Sequence, residues 1–467
     1  MSTALAPTDA PVARRPRRGI ALLVIALAQL TIALDATIVN VALPSAQAAL
    51  GFPDAQRHWV ITAYTAVFGG TLLLGGRISD QVGRRRTFVI GLVGFGAASA
   101  LGALAPDLAW LAVARGLQGA FAALLAPTVL ALLSVSFPEP RERGRAFAVF
   151  GAVAGGGGAV GLVLGGLLAE TVGWRGCLVV AVPIVAVTAL GARFLPRSEG
   201  AGARRRRDAT GAVLVTAALV ALVAGCSAAV GTGGTVGLLA LGAVLLAAFV
   251  RHEARTPEPL LPLSLLTDRV LVGACLTVGL TAAGILGAFL VLTYVLQAVL
   301  GFSPLVTGLA FLPMSGALFL GAQVAGRVMA RVATRTLVVP GLLVAACGML
   351  LLARLTPHST YVSGVLPAEL LLGVGIGAVF TPVISLATGR ATPAAAGVTA
   401  AVVSTSQQLG GSLGVAGLNA LAAVVGGAAG ARTVEALVAG STAAATGAAV
   451  AMVVAAAVAV LLLRSTR

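Results

Sequence analysis

The sequence predicts an all-α integral membrane protein of fourteen transmembrane helices, built as two six-helix bundles with two extra central helices. Three observations carry this reading. Of the 467 residues, 58% are hydrophobic and 10% charged, with a mean hydropathy of +1.03, too little charge to cover a water-soluble surface of this size. Apolar windows of spanning length recur along the whole chain. The 31 basic residues, all of them arginine, fall between those windows with a strong asymmetry.

The windows run about 20 residues each, as a hydrocarbon core of about 30 Å requires. They cover 19–43, 59–78, 87–105, 108–133, 146–171, 176–195, 209–229, 233–250, 269–297, 304–325, 335–354, 362–387, 398–425 and 442–463. Residues 12 to 48 imitate a signal peptide, with Arg14, Arg15, Arg17 and Arg18 before an apolar run and Ala46-Gln47-Ala48 after it. The run is long enough to span and carries Asp35, so it reads as an uncleaved first helix. With the N-terminus inside, 26 arginines lie in cytoplasmic loops and four, Arg57, Arg175, Arg354 and Arg432, lie outside; Arg115 remains within a span. Both termini are expected on the cytoplasmic side of the inner membrane.

The formal charge of +16 does not point to nucleic acid, because the arginines sit in small clusters between apolar runs rather than on one folded face. Cys177, Cys226, Cys275 and Cys347 each stand alone in an apolar stretch without CxxC spacing, which disfavours disulfides and metal. No cofactor and no metal are expected.

Gly76-Arg77-Ile78 and Val82-Gly83 recur 250 residues later as Gly326-Arg327-Val328 and Val332-Ala333. Each copy follows a span that runs from outside to inside, which predicts two halves on one plan related by an axis along the membrane normal; coincidence between two basic loops is the alternative. The expected organisation is a cytoplasmic segment 1–18, an N-terminal bundle 19–195, linkers with two extra helices 196–268, a C-terminal bundle 269–463 and a tail 464–467. The extra helices hold no ionisable residue between Thr210 and Val250 and read as a lipid-facing insert.

Several motifs occur in a fixed order. Leu34-Asp35-Ala36-Thr37-Ile38-Val39-Asn40-Val41-Ala42-Leu43-Pro44 lies in the first span, Gly75-Gly76-Arg77-Ile78-Ser79-Asp80-Gln81-Val82-Gly83-Arg84-Arg85-Arg86 in the loop after the second, and Arg115-Gly116-Leu117-Gln118-Gly119 in the fourth. The fifth span is rich in glycine, at Gly157, Gly158, Gly161, Gly165 and Gly166 among others. Gly301-Phe302-Ser303-Pro304, Leu312-Pro313 and Gln408 to Ala416 follow in the second half. Together these resemble the fourteen-spanner drug:proton antiporter family of the major facilitator superfamily over nearly the whole chain. The resemblance implies a proton-coupled exporter of small amphiphilic molecules, acting as a monomer by alternating access, with the loop of Gly76, Arg77, Asp80, Gly83 and Arg84 latching the outward-open state. One departure is visible: the family's fifth-helix Gly-Pro pair is Gly161-Leu162 here.

Inside the spans ionisable residues are few, and a charge at bilayer depth costs about 2.5–3.5 kcal/mol. Asp35, Arg115 and Glu369 are therefore the functional candidates, a purely structural ion pair being the alternative. At a rise of 1.5 Å per residue, Asp35 lies about 24 Å above Gly19 and Arg115 about 10 Å below Leu108, comparable levels in one bundle. Glu369 lies about 12 Å below Tyr361 in the other. Asp35 ranks first as proton carrier, Glu369 is its rival, and Arg115 is the charge partner. Asn40, Gln118, Thr293, Tyr294, Gln297 and Gln323 either line a cavity or hydrogen-bond between helices. An uptake carrier and a non-transporting membrane sensor are the competing functions. The absence of a Walker motif argues against ATP as the energy source.

Overall fold

The computed structural model describes residues 18–137, 139–196, 208–225, 231–256, 259, 267–329, 331–356, 359–389, 396–428 and 434–463. Twelve helices among them are long and apolar enough to cross a bilayer, and two shorter apolar stretches, Trp59–Leu72 and Thr210–Leu222, occupy the remaining windows. The first half comprises α1 (Arg18–Leu50), α2 (Trp59–Val82), α3 (Arg84–Ala103), α4 (Leu108–Ser136), α5 (Pro140–Thr171) and one span made of α6 (Trp174–Val179) and α7 (Ala181–Gly191). The insert is α8 (Ala209–Gly225) and α9 (Gly231–Glu253). The second half comprises α10 (Arg269–Tyr294), α11 (Pro304–Ala310), α12 (Leu312–Val328), α13 (Thr334–Leu352), α14 (Leu366–Gly389), α15 (Ala396–Ala428) and α16 (Val434–Leu462).

The halves pack alike. In the first, α1 packs on α5, α2 on α4, α3 on α4, and α7 on both α1 and α3; in the second, α10 packs on α15, α12 on α14, α13 on α14, and α16 on both α10 and α13. The two faces between the halves, α2 with α15 and α5 with α11, exchange under the same correspondence. A two-fold pseudosymmetry of packing thus accompanies the loop repeat. The window 304–325 is two helices rather than one, because Pro313 at the start of α12 brings no N–H to continue the ladder from α11.

The repeated loops differ in backbone. Gly83 joins α2 to α3 at φ +97°, a conformation that costs an L side chain strain. Its counterpart Ala333 sits at φ −63°, ψ 141°, ordinary extended backbone that accepts a side chain.

The insert is not uniformly lipid-facing. Helix α9 exposes Val236, Leu241 and Val244, as a helix against lipid should. Helix α8 instead packs on both α2 and α15, close enough at Gly70 that a Cβ there would meet Thr216 Cα at 3.0 Å. Just before its first turn Asp208 accepts from Gly211 N at 2.8 Å and bonds His252 Nε2 at 2.7 Å. Burial opposes the charge of Asp208, but the Gly211 N–H together with His252 and Glu253 outweighs it and holds the carboxyl below the usual carboxylate range.

Candidate functional site

The N-terminal bundle encloses one connected polar network. Asp35 on α1 and Arg115 on α4 are 1% and 2% exposed, and Arg115 Nη1 donates to Asp35 Oδ2 at 2.7 Å. One helical turn along α4, Gln118 accepts from Arg115 Nη1 at 2.9 Å and donates to Asp35 Oδ1 at 3.1 Å and to Ser99 Oγ at 2.7 Å. Arg115 Nε donates to the Val60 carbonyl at 3.0 Å, and its guanidinium lies over the Tyr64 ring at 4.6 Å. Four helices thereby converge on one desolvated ion pair, and the carboxylate accepts two bonds, one on each oxygen, from Arg115 and Gln118. The polar residues Tyr64 and Ser99 were not singled out in the sequence; a hydroxyl within an apolar span was the signal available.

The C-terminal bundle holds a carboxyl of a different kind. Glu369 on α14 is 0% exposed and its Oε1 has no hydrogen-bond partner, and no ion pair reaches it among the described residues. Its neighbours on the helix, Val365, Ala368 and Leu372, belong to an apolar core shared with Phe311 and Met314. Tyr361 Oη lies 3.1 Å from Glu369 Oε2 and 2.8 Å from the Ala310 carbonyl. The phenol has one proton for two oxygens, and a carbonyl can only accept. When Tyr361 donates to Ala310, the bond to Glu369 closes with the proton on the carboxyl.

The other candidates distribute unevenly. Asn40 donates to the Ala36 carbonyl at 3.1 Å and leaves Oδ1 without a partner, and Thr293 Oγ1 is likewise buried without one. Tyr294 and Gln297 join neither acid: Tyr294 donates to Gln47, and Gln297 to the Val41 carbonyl at 3.0 Å, both across to α1. Gln323 is exposed on α12. On α5, Gly157, Gly158, Gly161 and Gly165 face α1; a Cβ on Gly161 would meet the Leu34 carbonyl at 2.9 Å, and one on Gly165 the Ile38 carbonyl at 2.9 Å. Gly166 faces α11 instead, where a Cβ would meet Leu305 Cα at 2.7 Å. These glycines permit close helix approach on two sides of one helix, with Leu162 in the usual proline's place packed in the core.

The segment expected as a loop is helical up to Val82, so Gly76 and Arg77 lie in the last turns of α2; Gly76 lies over Pro127, and Arg77 donates to the Pro259 carbonyl in the segment leading to the second half. Arg84 opens α3, and the side chain of Asp80, like Ala330 in the second copy, lies outside the described residues.

The sequence profile of the Major Facilitator Superfamily matches residues 25–415. The chain belongs to the major facilitator superfamily. It is 51% identical over 410 residues to the puromycin resistance protein of Streptomyces alboniger, covering 86% of this chain and 82% of that one. To the cephamycin export protein of Amycolatopsis lactamdurans it is 39% identical over 405 residues, covering 85% and 83%. The fold matches a bacterial homologue of the human lysosomal transporter Spinster with a TM-score of 0.69 at 18% identity, covering 97% of this chain and 98% of that one. As a major facilitator the chain is a multi-pass membrane transporter of small molecules, not an enzyme.

For this transporter the loop glycine gives a direct test. Gly83→Val should store about 1–3 kcal/mol of backbone strain and lower the transport rate several-fold while leaving membrane insertion intact, whereas Ala333→Val should be neutral. Equal transport by both variants would reduce the loop to an anchor.

Proposed function

We propose that this chain is a proton-coupled exporter of small amphiphilic molecules, antibiotics among them, working as a monomer in the inner membrane with both termini cytoplasmic. Similarity to proteins named for puromycin resistance and cephamycin export supports the direction and the substrate class. The observation that carries proton coupling is the unequal pair of buried acids: Asp35 has a guanidinium at 2.7 Å, and Glu369 has no cationic partner among the described residues. A buried carboxyl with no cation beside it in an apolar core is the group whose charge a coupling proton can neutralise. Glu369 loads and releases the coupling proton as its bundle faces alternate sides, while Asp35, first in rank from the sequence, stays paired with Arg115 and fixes the other bundle's interior. Asn40 and Thr293, buried on α1 and α10 with oxygens to spare, are groups a bound molecule would satisfy.

Inverted membrane vesicles test this reading. Acidifying the lumen should drive uptake of puromycin or another amphiphilic antibiotic, and a protonophore should collapse it. Uptake driven by an imposed gradient of the opposite sign, or substrate flux indifferent to the gradient, would point to a symporter or a facilitator.

A further inference from the structure

The hydrogen bonds that join the two bundles cluster at the outer face. At the end of α1, Gln47 accepts from Tyr294 of α10 and donates to Asp54 Oδ1 at 2.5 Å. Arg57, in the turn before α2, donates through Nε to Asn419 Oδ1 of α15 at 2.6 Å, and its guanidinium lies 3.9 Å over the Tyr294 ring. Asn419 Nδ2 returns a bond to the Asp54 carbonyl at 3.1 Å and lies 3.4 Å from His58 Nδ1. Gln297 reaches the Val41 carbonyl, and on the far side Glu170 of α5 accepts from Leu305 N of α11 at 3.2 Å. Arg57 is 8% exposed, Asn419 1% and Tyr294 7%, so this is no loose surface pair. Above it opens an outer cavity of about 930 Å³, with Gln47, Asp54, Arg57, Tyr294 and Asn419 along its wall.

We infer that Arg57, Asn419, Tyr294 and Gln47 form an outer lock between the two bundles, with Arg57 as its keystone, and that the cavity above is the vestibule into which a transported molecule is released when the lock parts. The guanidinium meets both Asn419 and Tyr294 of the opposite bundle through its planar head, which a point charge would not reproduce. Its stabilisation is lost together with the bundle contact, so the lock opens as a unit. The vestibule's role as an exit rests on the exporter reading; the lock does not.

Val415 lies one helical turn below Asn419 and is fully buried. In a background with Cys177, Cys226, Cys275 and Cys347 changed to serine, Val415→Cys serves as reporter, labelled from outside intact cells by a membrane-impermeant maleimide. Alone it should react slowly. Arg57→Ala should raise the labelling rate by about tenfold or more, and Tyr294→Phe, which deletes a single oxygen, by about threefold. Arg57→Lys should fall between parent and alanine. Unchanged labelling in properly inserted Arg57→Ala would overturn the lock, and if that variant does not fold, unchanged labelling in Tyr294→Phe decides against it equally. Faster labelling in a protein whose parent moves no antibiotic in vesicles would leave the lock standing and remove the export reading alone.

Discussion

Glu369→Gln is expected to leave the protein folded and inserted yet cut proton-driven antibiotic uptake in inverted vesicles by more than about tenfold. Glutamine keeps the side chain's size and can still accept from Tyr361, so the apolar core around Val365, Ala368 and Leu372 is not disturbed. What it loses is the exchangeable proton. Expulsion of that proton from a site without a cation is costly until water reaches it, and this ties release to the conformational change. Two measurements separate coupling from binding. Downhill efflux with no imposed gradient should persist in the variant, and addition of substrate to purified parental protein in weak buffer should release protons that the variant does not. Full uphill uptake by Glu369→Gln would return the proton to Asp35.

Much of the fold was legible in the sequence because a bilayer imposes one rule: long apolar segments with arginine between them. The neighbourhood of Asp35 and Arg115 followed from depth alone, since rise per residue fixes the level of each along its helix. What depth cannot supply is azimuth. Tyr294 and Gln297 line a cavity, as a reading of polar groups near the end of a span allows, but they also bond the other bundle, Tyr294 from the last residue of α10 and Gln297 from the π-helical turn Val295–Val299 that follows. Arg57 read as one external arginine among four, and its burial comes from Asn419, 362 residues away. The contact of α8 with both bundles was equally invisible, since an apolar helix facing lipid and one facing protein differ little in composition. The glycine of the first loop and the alanine of its copy look interchangeable until their backbone angles are compared.

The ion pair of the N-terminal bundle should behave as one unit. Arg115→Ala removes the guanidinium and strands a carboxylate with Gln118 as its sole remaining side-chain donor, at a cost of about 3–5 kcal/mol in stability. Asp35→Asn strands the guanidinium with the Val60 carbonyl, Gln118 and the Tyr64 ring, which soften the loss toward the lower end of that range. The double variant Asp35→Asn/Arg115→Gln leaves no uncompensated charge and should lie within about 2 kcal/mol of the parent, well short of the sum of the single effects. Denaturation midpoints in one detergent, with equal protein loading, give the cycle. If each single substitution costs less than about 1 kcal/mol, the pair is not desolvated and the network is misassigned. The same double variant then decides the division of labour between the acids: it is folded and lacks the Asp35 carboxyl, so retained proton-driven uptake leaves Glu369 as the carrier, whereas its loss with downhill efflux intact makes Asp35 a second obligatory proton site.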